Sequence, residues 1–387
     1  MRNESATTNR NAGIDLLRGL SIVLVVIHHV ALRIPLRKTT LAGILPAQLL
    51  RALNWNGHNA VIMFFVISGF LITETTIRRW GSLASVPPGA FMVRRAARII
   101  PCLLVLIVIL SFLDLLQVPD YTITRPDQSL GGAIFSALTM TLNRYEGRTS
   151  WLPGGWDILW SLSIEELFYL IFPFACLLSA RFPRLLIMAC TALALSMPLS
   201  LRALTNASEI WQDKAYLPGM SAIATGICAA LIAGKFSRAK PGSEQSRRIR
   251  TLSGLSGTIA LAACLLDYHD LYGILGDNTD LLLTVSVAAL LVAFRQGWGA
   301  TVVTRGTGWL RSFGRMSYEI YLSHMFIVFP AVALFHRTGG NMALGWLWFP
   351  PVLALSWCLG RAVELSLSRP ADLWLLQQTR TARPAIA

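Results

Sequence analysis

Apolar stretches of 18 or more residues recur from one end of this chain to the other, each long enough to cross the roughly 30 Å hydrocarbon core of a bilayer as a helix. A lipid-facing backbone must satisfy its own hydrogen bonds, and runs of this length do so as helices rather than as strands of a barrel. Composition agrees. With 54% hydrophobic and 14% charged residues over 387, and mean hydropathy of +0.55, the chain falls far below the charged fraction of about 25% typical of soluble proteins. The expected fold class is all-α, a polytopic membrane helix bundle.

Ten spans are predicted, at 13–32, 58–77, 99–117, 158–180, 184–201, 216–234, 251–268, 279–296, 317–336 and 344–366. The apolar segment Gly131 to Asn143 is too short for a crossing of about 20 residues, so it is expected as a re-entrant or interfacial helix. Charge tests the count. With the amino terminus placed in the cytoplasm, loop 78–98 holds five arginines and no acid, 181–184 two arginines, 235–250 six basic residues, and 295–316 four arginines. On the other side 267–280 has four aspartates and no base. The positive-inside rule is thus met with both termini cytoplasmic. Loop 33–57 dissents, since Arg33, Arg37, Lys38 and Arg51 fall on the outer side. The division expected is a polar tail at 1–12, one transmembrane unit at 13–367 and a cytoplasmic tail at 368–387. The polar start precedes a span carrying charge and no small-residue cleavage site follows it, so no removable signal peptide is expected.

The net charge of +14 is concentrated in loops as an orientation signal, which speaks against nucleic acid as a partner. The six cysteines are scattered singly through apolar segments, none at metal-ligand spacing, so buried thiols and no metal centre are expected.

The first span, GIDLLRGLSIVLVVIHHVAL, carries Asp15, Arg18, His28 and His29 through otherwise apolar sequence. Ionisable groups inside a membrane cost several kcal/mol unless they face protein or a wet cavity, so they mark function by default. At about 100° per residue, Arg18 and His29 share a face and stand roughly 16 Å apart along the axis. His28 points about 80° away from Arg18, which favours His29. Asp15 is placed for a local ion pair with Arg18. The alternative is a snorkelling arginine and a structurally satisfied histidine.

The Arg18 to His29 spacing resembles the arginine-to-histidine signature of the acyltransferase-3 family of transmembrane O-acyltransferases, and four later motifs resemble that family in the same order. Phe64-Phe65-Val66-Ile67-Ser68-Gly69-Phe70 matches an aromatic pair followed by Ser-Gly-Phe, with Ile62 where many relatives have aspartate. Ser68 and Gly69 suit close helix packing, or the narrowing of a tunnel. Arg94, Arg95 and Arg98 before Ile99-Ile100-Pro101 resemble a basic motif at the entry to the third span. Pro101 is expected in that span's first turn. Trp160-Ser161-Leu162-Ser163-Ile164-Glu165-Glu166 is the most specific match, with Leu167 where many members have glutamine. Ser161, Glu165 and Tyr169 form one helical stripe, and Glu165 is expected at the depth of His29, facing its imidazole. Glu166 suits a cap or interfacial position. Ser317-Tyr318-Glu319-Ile320-Tyr321-Leu322-Ser323-His324 resembles the late Ser-Tyr-x-x-Tyr-Leu-x-His motif, with Ser317, Tyr321 and His324 on one stripe.

The resemblance implies acyl transfer from cytoplasmic acyl-CoA, with acetyl the expected group, to a hydroxyl of a glycan or other sugar-containing acceptor at a bacterial inner membrane. No cofactor is expected to stay bound. Guanidinium groups bind phosphate bidentately, so Arg94, Arg95 and Arg98 suit the nucleotide end of coenzyme A, while the same residues also serve as topology and lipid-headgroup anchors. Arg18, Tyr321 and His324 would line the path of the pantetheine arm, or Tyr321 and His324 would join helices. No Gly-x-Ser-x-Gly elbow and no cysteine beside a base is present, leaving His29, aided by Glu165, as general base or transient acyl carrier. The short sequence after the last span leads to the expectation that the membrane unit acts alone or with a separate periplasmic partner. A transporter using the same buried charges as a relay is the rival reading; its repeated, interrupted halves have no counterpart here.

Overall fold

The structure, a computed structural model, describes residues 10–237 and 244–374. Most of the predicted amino-terminal tail, the middle of loop 235–250 and the chain from 375 lie outside the described residues. Helices and their connections make up the described chain, with no strand among those residues. The helices used below are α1 (Ala12–Ala31), α2 (Gly57–Trp80), α3 (Pro88–Leu115), the short α4 (Leu130–Leu138) and α5 (Leu142–Thr149), and α6 (Trp160–Arg181). They continue with α7 (Pro183–Leu195), α8 (Met197–Ala203), α9 (Tyr216–Ser237), α10 (Glu244–Leu266), α11 (Asn278–Arg295), α12 (Gly308–Arg315), α13 (Ser317–Ser323), α14 (Met325–Arg337) and α15 (Phe349–Val363).

Among the described residues eight continuous helical segments are long and apolar enough to cross a membrane, and two pairs bent by 47°, α7 with α8 and α13 with α14, bring the number to ten if each pair is one broken span. The eight segments and the two bent pairs overlap the ten predicted spans one for one, and the chain is an integral membrane protein. The segment judged too short to cross forms α4 and α5, broken at Met140, whose φ of 60° is left-handed. One expectation is corrected. Pro101 is not in the first turn of its span, because α3 begins at Pro88 and runs unbroken through Leu115. The helix tolerates the lost N–H, and the Arg94, Arg95 and Arg98 cluster lies on the spanning helix rather than in a loop before it.

Tight packing follows the small residues. A Cβ on Gly69 would meet the Ile223 carbonyl oxygen at 2.0 Å, and one on Gly226 the Val66 carbonyl oxygen at 1.9 Å, so α2 and α9 touch backbone to backbone. Gly19 and Gly314 bring α1 and α12 together in the same reciprocal way, with 1.9 Å to the carbonyl oxygens of Leu310 and Asp15. The first span is therefore held backbone to backbone against α12. At its start Asn11 caps α1 by accepting from the Gly13 and Ile14 N–H groups while donating to the Phe294 carbonyl.

Candidate functional site

Helices that cross at such close range leave space only where longer polar side chains turn inward, and the bundle encloses a large cavity of about 1140 Å³ at the end where α1 begins. Eight arginines line it, namely 10, 18, 78, 79, 94, 95, 98 and 295, against the acids Asp15, Glu74, Glu165 and Asp372. Three segments predicted on the basic side, around the start of α1, the 78–98 stretch and the 295–316 stretch, converge on this one mouth.

Its walls are ordered by hydrogen bonds and stacking. Arg18 donates from Nη2 to Ser317 Oγ at 2.8 Å, bridging α1 and α13. No Asp15–Arg18 ion pair forms among the described residues; both instead line the cavity. The Arg95 guanidinium lies 4.1 Å from the Tyr169 ring centre, a cation–π contact, and the Tyr169 hydroxyl meets Ser68. Ser68 therefore faces the cavity while Gly69 serves packing. Ser161, Glu165 and Tyr169 all line it, as their common stripe predicts. Glu166 is not at a helix cap: its Oε1 is buried in the bundle without a hydrogen-bond partner.

The cavity ends at a clasp. Tyr321 lines it, and the Tyr321 hydroxyl is shared with Ser161 Oγ at 2.8 Å and the Ile158 carbonyl at 2.9 Å. Beyond the clasp His324 sits at the 47° bend between α13 and α14, fully buried, with its ring centre 5.1 Å from that of His29. His324 Nδ1 stands 2.8 Å from the Tyr321 carbonyl and 3.1 Å from that of Ile320. Carbonyls only accept, so Nδ1 carries the proton, and in the neutral ring Nε2 keeps its lone pair. That Nε2 is buried with no partner. His28, by contrast, is tied at Nδ1 to the Asn54 carbonyl at 2.6 Å and packs against Gly57, which leaves His29 as the half-buried imidazole of the two available for chemistry. His29 and His324 are absent from the large cavity's lining, and no hydrogen bond or ion pair joins Glu165 to His29 among the described residues. Glu165 faces the arginines, and the partner of His29 is a second histidine.

A second cavity, about 540 Å³, opens among segments at the opposite end: Arg33 after α1, the 117–128 connection after α3, the 151–154 stretch before α6, and Phe329 of α14. Sequence reasoning did not find it. Arg33 caps α1, donating from Nη1 to the His29 carbonyl at 3.1 Å, and its guanidinium lies 4.8 Å from the Phe329 ring centre. Burial pushes this guanidinium below its ordinary pKa, and the Asp120 carboxylate counters the shift. Two elements therefore run past both cavities with a histidine between. Along α1 and just past its end the order is Arg18, His29, Arg33; along α13 and α14 it is Tyr321, His324, Phe329, and neither histidine is among the residues lining the two cavities.

The second cavity is held by a buried charge cluster that no sequence signal announced. Lys214, 2% exposed, pairs with Glu146 at 2.7 Å and with Asp157, and lies 4.0 Å from the Trp151 ring centre. Glu146 also accepts from the Leu152 N–H at 3.0 Å. Gln128 Nε2 donates to the carbonyl of Ser150 at 2.7 Å, fixing the turn that presents Trp151.

Comparison with known proteins gives a family model described as an acyltransferase domain, matching residues 11–361. A peptidoglycan O-acetyltransferase, OatA, of Listeria monocytogenes is 25% identical over 311 residues, which is 74% of this chain and 47% of the relative. An O-acetyltransferase of the same name from Staphylococcus aureus is 29% identical over 164 residues, 42% of this chain and 24% of the relative. The chain thus matches less than half the length of these relatives. No solved structure matches.

Proposed function

Because the chain belongs to the acyltransferase-3 family, we propose that it moves an acyl group, acetyl in the first instance, from coenzyme A to a sugar hydroxyl across the membrane. The observation that carries this reading is the arginine-lined cavity closed at its inner end by the Tyr321–Ser161 clasp, with the paired rings of His324 and His29 behind it. Its eight guanidinium groups exceed its four acids by four. Coenzyme A, with a phosphomonoester and a diphosphate, carries about four negative charges at neutral pH, and guanidinium forks bind phosphate oxygens in pairs. The nucleotide end then rests on Arg94, Arg95 and Arg98 at the cytoplasmic side. The pantetheine arm runs along Arg18 and Glu165 toward Tyr321, and passing the Tyr321–Ser161 clasp brings the thioester to His29 and His324.

The acceptor approaches from the smaller cavity. His324, its Nδ1 proton fixed by carbonyls, keeps an unpartnered Nε2 lone pair beside His29, and a small turn of the rings that let it accept from His29 would fix that tautomer and stabilise the imidazolium formed when His29 takes the hydroxyl proton. The freed alkoxide attacks the thioester carbonyl, the C–S bond breaks, and the thiolate of coenzyme A recovers the proton. A histidine that first carries the acyl group reaches the same products in two steps. Glu165 acts on the donor side, holding Arg95 and Ser68 in place, rather than on the imidazole.

The test is release of free coenzyme A thiol from acetyl-CoA by the full chain in lipid nanodiscs with an oligosaccharide acceptor. Thiol release that falls to background in His29→Ala supports the reading. Release unchanged in that variant removes it, and no release by the unaltered protein together with acceptor-independent sugar movement favours a transporter.

A further inference from the structure

The smaller cavity holds more positive charge than its shape requires. Arg33 and Arg125 both line it, with Asp120 as its one acid, and Thr122, Thr124 and Gln128 supply further polar groups. Among the described residues no carboxylate stands within ion-pair distance of either guanidinium. Arg33 is half-buried and spends one N–H on the His29 carbonyl, which leaves most of its five donors without a protein acceptor. A partly buried guanidinium whose one nearby carboxylate, Asp120, stands outside ion-pair distance is costly, and an incoming anion relieves that cost. The chain next to it adds Arg37 and Lys38, both exposed, on a loop with no acid between 33 and 57. That loop is the one whose charge runs against the topology rule, and a role in ligand capture accounts for it.

We infer that the smaller cavity is a binding site for an anionic sugar, in which Arg33 and Arg125 hold a carboxylate or phosphate group while a hydroxyl of the same or the adjoining ring is presented to His29. This rests on the proposed function for the role of the hydroxyl, though not for the binding itself. Spacing supports it. Arg33 stands in the turn just past the end of α1, four residues after His29, so the anion site adjoins the end of the helix that carries the base. Trp151 lines the same cavity with Lys214 against its ring, a surface suited to the apolar face of a sugar. Through its bond to the His29 carbonyl, Arg33 also links occupancy of the anion site to the end of the helix that carries the base.

Binding is measured on the full chain in nanodiscs of neutral lipid, with saturating coenzyme A present so that the larger cavity does not contribute. The probes are a hexuronic-acid trisaccharide, its neutral hexose counterpart, and a hexose 6-phosphate beside the free hexose. The charged member of each pair should bind roughly tenfold tighter, the worth of one charge-assisted hydrogen bond. A preference confined to one pair identifies the anion as carboxylate or as phosphate and supports the site in either case. Arg33→Gln and Arg125→Gln should each abolish the preference, Arg33→Lys should keep part of it, and Arg95→Gln should leave it in place. Arg125 is exposed, so its variant remains informative should Arg33→Gln fail to fold. Equal binding of charged and neutral probes, or a preference that survives both glutamine variants, overturns the inference. Anion preference without any thioester cleavage would leave this site standing and remove the acyl-transfer reading; thioester cleavage without anion preference would do the opposite.

Discussion

The two cavities are built from different materials. The larger is walled by spanning helices, and its functional groups recur at helical spacing: Arg94 and Arg98 one turn apart, Ser161, Glu165 and Tyr169 along one stripe. The smaller is walled mainly by connections, and three of its loop residues hold left-handed backbone, Gln117 at φ 55°, Asp120 at φ 69° and, beside Trp151, Ser150 at φ 86°. Such conformations cost about 1–3 kcal/mol each and persist only where the surroundings impose them. At Ser150 the surroundings are the Gln128 amide and, one residue on, the Lys214 ammonium against Trp151. The wide end is shaped by periodicity, whereas the narrow end is shaped by loops that buried charges hold in place. On the proposed reading the first end takes the donor and the second the acceptor.

The comparison breaks first at the junction, where the two ends must share one pair of histidines. His29→Ala and His324→Ala should each lower turnover about 10²- to 10⁴-fold, the range for loss of a positioned acid–base group, read as initial rates of thiol release. A loss in His29→Ala alone would assign His324 to packing. Next comes the anchor of the narrow end. Lys214→Met leaves Glu146 and Asp157 facing each other without a counter-charge, and should cost about 3–5 kcal/mol of stability, measured by thermal unfolding in detergent micelles. A shift below about 1 kcal/mol would mean that the loops hold themselves. At the wide end, Arg95→Gln should raise KM for acetyl-CoA roughly 10- to 100-fold with kcat little altered, the effect of losing about 1.5–3 kcal/mol in a charged hydrogen bond. Arg33→Gln should leave the KM for acetyl-CoA alone. The smallest effect belongs to Ser150→Gly. Glycine accepts positive φ without steric cost, so this variant should gain up to about 1 kcal/mol in the same unfolding measurement.

The same division explains what the sequence could reveal. The eight continuous spans and the two bent pairs were legible as apolar segments, because a span must be apolar over its whole length. Much of the lining of the large cavity was legible as well, since Arg18, Arg94, Arg95, Arg98 and Tyr321 occupy helical positions whose faces follow from spacing. Pairings between helices were not. Equal depth suggested Glu165 for His29, yet rotation of α6 turns that carboxylate toward Arg95 and Ser68, and the bend at His324 brings the second imidazole in its place. Nothing near Lys214 signals a buried ammonium, because its two carboxylates come from segments 57 and 68 residues away. The basic loop 33–57 was visible as a departure from the charge rule, and only the fold around Arg33 gives it a place.

The most direct measurement is a structure of the full chain with coenzyme A bound. The account predicts the nucleotide phosphates against Arg94, Arg95 and Arg98 in the larger cavity, with the thiol end directed past Tyr321 toward His324 and His29. Phosphates seated instead on Arg33 and Arg125, or a thiol end that points away from the histidine pair, would contradict it.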